Sequence, residues 1–225
     1  MKEVMTFLQG LEANNNREWF TGHKDDYLAV QSRFNSFVER LIPAIAAFDD
    51  TVEGLSAKDC TYRIYRDTRF SSDKSPYKLH IGAFICPGGK KSGFAGYYFQ
   101  VGPHDDGYTA GNMLAAGHYC LDAAALRVLR EDIAGGGTEF SDIVDKAKGF
   151  SLEEENKLKR VPNGFPKDCA CAEYLKYRSY CLDCFPGKDY MLQRDLLSAL
   201  VSSFESTHPF VAYINRAIAY SRNPD

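Results

Sequence analysis

The chain has 225 residues, 44% of them hydrophobic and 25% charged, with a formal net charge of −3. That length suits one domain with a real core, and the acidic balance excludes a whole-surface polyanion binder, so any phosphate or nucleic-acid contact needs a local patch. The run LIPAIAAF is far short of the ~20 residues that cross a membrane, and the opening MKEVMTFLQGLE meets acidic residues too early for a secretory leader.

Helical spacing comes first. Val4, Phe7, Leu8 and Leu11 mark an amphipathic helix over residues 3–12. Asn15 followed by Glu18 resembles a capping box, so a second helix is expected there, turning Trp19 and Phe20 inward. Tyr27, Val30, Phe34, Phe37, Val38 and Leu41 trace one face of a long helix that Pro43 should kink or restart. Residues 1–50 thus form a helical N-terminal part.

The period then changes. CTYRIY, LHIGAFIC, GYYFQVG and GYTAGNM are short, aromatic and β-branched, and PGGKKSG reads as a hairpin loop. Residues 60–114 are therefore expected to form an antiparallel meander of about four strands. From residue 119 to 225 the chain reads as mainly helical. Leu126, Leu129 and Ile133 lie on one helix ended by GGG at 135–137, and Ser151 with Glu154 suggests another cap. Two C-terminal helices follow, one marked by Leu192, Leu196, Leu200 and Phe204, the other by Phe210, Ile214, Ala217 and Ile218. Strands bunched between helical ends give a single α+β domain.

The chemistry concentrates in YRIYRDTRFSSDKSPYK, residues 62–78. Arg63, Arg66, Arg69, Lys74 and Lys78 stand there against Asp67 and Asp73. Strict strand alternation would put Arg63 and Arg66 on opposite faces, so they converge only if the chain turns near Arg66. The Asp, Ser and Pro content of RDTRFSSDKSP suits such a loop. An Arg fork matches carboxylate or phosphate in two parallel bonds, and Lys adds a mobile charge. Arg63, Arg66, Arg69 and Lys74 are therefore the candidate anion ligands, with Asp67 and Tyr77 as orienting or acid–base groups. The alternative is a structural ion network in which Asp67 and Asp73 tie the arginines across the loop.

Arg63, Arg66, Asp67, Arg69, Phe70, Asp73, Lys74 and Tyr77 spell Arg-x-x-Arg-Asp-x-Arg-Phe-x-x-Asp-Lys-x-x-Tyr, which resembles the signature of the domain-of-unknown-function 2461 family. FLQGLEANNNREWFTGHKDDY resembles that family's opening block, and GYYFQVGP, AGNML and VPNGFPKD…EYLKYRS resemble weaker later ones. The resemblance implies a bacterial protein of about this length and no defined activity. Within its first block, Arg17 follows a helix start whose free N–H groups suit an anion. Lys176, after the Gly-Phe-Pro turn, either completes a basic pocket or lies on a solvated helix face.

Cys169, Cys171, Cys181 and Cys184 make a four-sulfur zinc site imaginable, but Cys-x-Cys, nine residues and Cys-x-x-Cys is not knuckle spacing, so no metal and no cofactor is expected. Seven cysteines, an odd number, fit a reducing, cytoplasmic setting better than a full disulfide framework. Three functions stay open: a binding or enzymatic pocket for an anionic or phosphorylated small molecule, a nucleic-acid-binding module using the same loop, and a non-catalytic scaffold. No membrane partner is expected.

Overall fold

The computed structural model describes residues 1–105 and 107–223. Among these residues eight α-helices accompany one five-stranded antiparallel sheet. Helices α1 (Lys2–Ala13), α2 (Arg17–Gly22), α3 (Lys24–Ala46) and the single turn α4 (Ala57–Cys60) precede the sheet. Strands β1 (Ile81–Ile85), β2 (Gly96–Val101) and β3 (Met113–His118) come next, then α5 (Ala123–Gly135) and α6 (Glu139–Lys146). The chain returns through β4 (Ser151–Leu152) and β5 (Tyr180–Cys184), and ends in α7 (Lys188–Leu192) and α8 (Leu196–Arg222). The strand order is β1-β2-β3-β5-β4. Among the described residues, no helix is long and apolar enough to cross a membrane.

The α+β class stands, with local differences that have physical reasons. CTYRIY is not a full strand: it makes isolated bridges at Thr61–Ala83 and Tyr65–Tyr77. Its return partner carries Pro76, which has no N–H to donate, so pairing is limited to Arg66 N–H to Pro76 O and Lys78 N–H to Ile64 O. Residues 107–112 form a loop, and the third strand starts at Met113. Ser151 begins β4 instead of capping a helix. Of the expected two C-terminal helices, Leu192 falls in the separate α7, and the rest is continuous as α8. Pro209 removes one ladder bond, while Phe204, Phe210 and Ile214 keep a buried face on both sides of it. Pro43 likewise lies within α3, near its end.

Alternation along the strands gives the sheet two unlike faces. Ile81, Ala83, Ile85, Tyr97, Phe99, Val101, Leu114, Tyr180 and Leu182 point into the core, against α3, α5, α6 and α8. Phe34 of α3 stacks on Phe99 with centroids 5.6 Å apart, Phe204 of α8 meets Tyr97 at 5.5 Å, and Phe140 of α6 meets Tyr180 at 5.8 Å. Burial of one such ring contributes about 1.5–3 kcal/mol. A polar latch sits in the same layer: the Tyr97 hydroxyl donates to Asp49 Oδ2 at 2.8 Å and lies 2.9 Å from His208 Nδ1.

The opposite face carries Gly82 and Phe84 of β1, Gly96 and Tyr98 of β2, Met113, Ala115 and Gly117 of β3, and Cys181 and Asp183 of β5. This face is hollow, and its three glycines let neighbours approach closely, Tyr98 over Gly82 and Cys86 against Gly96. At Gly82 a Cβ would lie 2.7 Å from the Tyr98 hydroxyl. Gly117 has φ +120° and its backbone runs close to Tyr180 O, so only glycine serves there.

Candidate functional site

The hollow is a cleft of about 450 Å³, within the range of small-molecule sites. Its floor is the open sheet face. Its walls come from three segments: residues 62–80 beyond β1, the loop between β2 and β3, and residues 153–156 after β4.

The first wall is the entrance to the charged motif. Tyr62 N–H donates to Gly82 O at 3.2 Å, which pins this segment along β1 and turns Tyr62 and Arg63 into the cleft. Lys78 and His80 join them from the chain's return. The Lys78 ammonium lies 5.4 Å from the Tyr62 ring centroid. Burial lowers the Lys78 pKa, and the Arg63 charge lowers it further. His80 Nδ1 is 2.7 Å from Thr109 O, and since a carbonyl only accepts, Nδ1 carries a proton. Burial pushes the Tyr62 hydroxyl up to about 12.

The motif divides at Arg66. Beyond it, the cations are tied within the loop. Arg66 pairs with Asp73, whose carboxyl is held well below its usual range by the Ser75 hydroxyl and N–H and then by Arg66. Arg69 grips Asp67 through Nε at 2.9 Å and a terminal nitrogen at 2.6 Å, and Lys74 donates to Thr68 O at 2.9 Å. Tyr77 is buried against Phe20, ring centroids 3.9 Å apart. Among the anion-ligand and acid–base candidates named from the sequence, therefore, Arg63 alone lines the cleft. Arg66, Arg69, Lys74, Asp67 and Tyr77 shape the loop beside it.

Arg17 is exposed on α2, where the N-cap is Asn16, not Asn15: Asn16 Oδ1 accepts from Trp19 N at 2.9 Å. Asn15 has a different task. Its amide donates to Tyr77 O at 3.0 Å and accepts from Tyr77 N at 3.2 Å, copying a strand partner and anchoring the motif to the N-terminal helices. Lys176 pairs with Glu173 in a group with Lys157, Glu154 and Tyr177. That group fastens residues 153–158, which present Glu153, Glu155 and Asn156 to the cleft.

The second wall is held from below. Tyr98 donates to Gln100 Oε1 at 2.6 Å, and Gln100 Nε2 donates to Tyr108 O at 3.1 Å and Gly111 O at 2.9 Å. These bonds set Tyr108, whose hydroxyl donates to Asp183 Oδ2 at 3.1 Å. Burial raises the Asp183 pKa, and Glu153 and Glu155 raise it further. Cys181 donates to Asp183 Oδ1 at 3.4 Å; burial first, then that carboxylate, push its thiol well up, so it stays protonated and is unsuited to nucleophilic attack.

The sequence reading singled out none of Tyr62, Tyr98, Tyr108, Glu153, Glu155 or Asp183. A usable signal was present in the alternation of YCLDC, where Tyr180 and Leu182 point inward and Cys181 and Asp183 outward. The four cysteines weighed for zinc do not converge: Cys169 and Cys171 form a disulfide, while Cys181 lines the cleft.

No curated protein and no solved structure matches the chain. A family model does, from residue 3 to residue 213, across both helical ends, the charged motif and all five strands. The chain belongs to the family described as "Conserved hypothetical protein (DUF2461)".

Proposed function

We propose that the protein binds a small anionic molecule, of the carboxylate or phosphate type, in the cleft on the open face of its sheet. Arg63 and Lys78 receive the anion, and Tyr62 and Tyr98 flank the body of the ligand. One observation carries this reading. The motif's loop cations are matched internally, whereas among the described residues Arg63 and Lys78 share the cleft without an ion-pair partner. Two like charges side by side depress Lys78, and a bound anion relieves that repulsion. A cytoplasmic setting belongs to the same proposal: five cysteines, Cys60, Cys86, Cys120, Cys181 and Cys184, stay free against the single short-range Cys169–Cys171 pair.

Calorimetric titration with phenyl phosphate tests it on wild type, Arg63→Gln and Arg69→Gln. A charged hydrogen bond contributes roughly 1.5–3 kcal/mol, so Arg63→Gln should weaken binding by about tenfold or more, with Arg69→Gln close to wild type. The reverse pattern would move the site to the loop and refute this reading.

A further inference from the structure

The cleft's charge is divided across the sheet. Its lining cations, Arg63 and Lys78, lie at the β1 edge beside His80, whose burial disfavours the charged form. At the other end, Asp183 of β5 meets Glu153 and Glu155, with no Lys or Arg among the lining residues there. Asp183 is 8% exposed, and among the described residues its carboxylate receives the Tyr108 hydroxyl and the Cys181 thiol alone. Glu153 accepts from Ser179 through Oε2, while Oε1 is buried with no hydrogen-bond partner. An unpartnered buried carboxylate oxygen beside two further acids leaves acceptor capacity unfilled. Among the described residues, no three such groups come close enough to hold a metal ion. The remaining complement is an organic cation with several N–H donors.

We propose that this acidic end is a second recognition element, which takes a primary ammonium group, so that the ligand is a zwitterion lying across the sheet. Its anionic group sits at Arg63 and Lys78, its ammonium at Asp183 and Glu153, and a flat apolar body between them. Strands β1 and β5 are three positions apart, and the Tyr62–Arg63 segment runs one position outside β1, so about 19 Å separates its backbone from β5 at the usual spacing. Side chains reaching in from both ends shorten that gap to the scale of one substituted aromatic ring. Tyr98 lies over Gly82; Met113 and the small side chain of Ala115 line the floor beside it, and Tyr62 stands at the side. The anionic half of this proposal rests on the reading above; the ammonium half does not.

Three probes separate the two halves by calorimetry: O-phosphotyramine carries both groups, phenyl phosphate only the anion, and tyramine only the ammonium. O-Phosphotyramine should bind about tenfold or more tightly than phenyl phosphate. Asp183→Asn, which keeps an acceptor for Tyr108, should erase that advantage without weakening phenyl phosphate binding; Glu153→Gln should reduce it. Equal affinity for the two phosphates, or an advantage that survives both substitutions, overturns the ammonium site while the anion site stands. Tyramine binding that depends on Asp183, without any phenyl phosphate binding, supports the ammonium site and overturns the anion site. Failure of all three probes to bind overturns both.

Discussion

Asn15 is where the N-terminal helices hold the charged motif, and Asn15→Ala measures how much that hold contributes. The substitution deletes a donor to Tyr77 O at 3.0 Å and an acceptor for Tyr77 N at 3.2 Å, both in a partly buried position. Two hydrogen bonds at about 0.5–1.5 kcal/mol each give about 1–3 kcal/mol. Tyr77 also stacks on Phe20 at 3.9 Å, and loosening an aromatic pair puts a further ~0.5–1.5 kcal/mol at risk. The expected loss is about 2–3 kcal/mol. Asn15→Asp keeps the acceptor but turns a carboxylate oxygen toward Tyr77 O, so its cost should be at least as large. Equilibrium unfolding in urea reads both variants, with Trp19 as the local fluorophore, its ring 5.8 Å from Phe7 in the same helical cluster. An Asn15→Ala protein within about 0.5 kcal/mol of wild type, the usual range for neutral surface changes, would show that this side chain anchors nothing.

Gly82→Ala sets a methyl 2.7 Å from the Tyr98 hydroxyl and 3.0 Å from its ring carbon, so the ring must swing and give up its bond to Gln100. A loss of roughly 1–3 kcal/mol is expected for such overpacking, and urea unfolding at wild-type stability would contradict the close approach. Tyr97→Phe removes the phenol that donates to Asp49, a residue only 4% exposed; a loss of about 1–3 kcal/mol by the same assay is expected, and a neutral outcome would show the latch to be idle. The buried tyrosines predict the alkaline limit. Burial pushes Tyr62 up to about 12, and Tyr97, Tyr98 and Tyr180 higher. Their folded pKa values are raised, so this stability is complete below the ordinary tyrosine value near 10 and is lost as pH rises through and beyond it. Tyrosinate absorbance should therefore appear together with unfolding for these rings, and their ionisation at the ordinary value in a still-folded protein would contradict the burial.

The N-terminal helices were legible because their apolar residues recur at helical spacing over long runs, as in Tyr27 to Leu41. The three-glycine stop after α5 was readable for the same reason. The split of the charged motif was not. Alternation separated Arg63 from Arg66, but only the return through Pro76 shows that Arg66, Arg69 and Lys74 close on their own loop while Arg63 stays beside Lys78. The acidic end of the cleft was hidden by distance along the chain. β4 is two residues long, too short for any period, and its partner β5 follows a stretch whose Tyr, Leu and Lys read as helical. Nothing local indicates that Asp183 lies opposite Ala115. Pairing across such a separation is a property of the whole sheet.

The insertion of β5 between β3 and β4 also orders events during synthesis. β1, β2 and β3 are successive neighbours and close as each emerges, so the floor and the cationic wall of the cleft exist early. The edge of β3 then stays open until Tyr180–Cys184 leaves the ribosome and joins it. Through that interval the nascent sheet exposes an unpaired edge, and its core face still awaits α8, a state in which non-native pairing competes with completion. The two ends of the cleft are thus made at different times, and a chain halted before β5 would carry the first without the second.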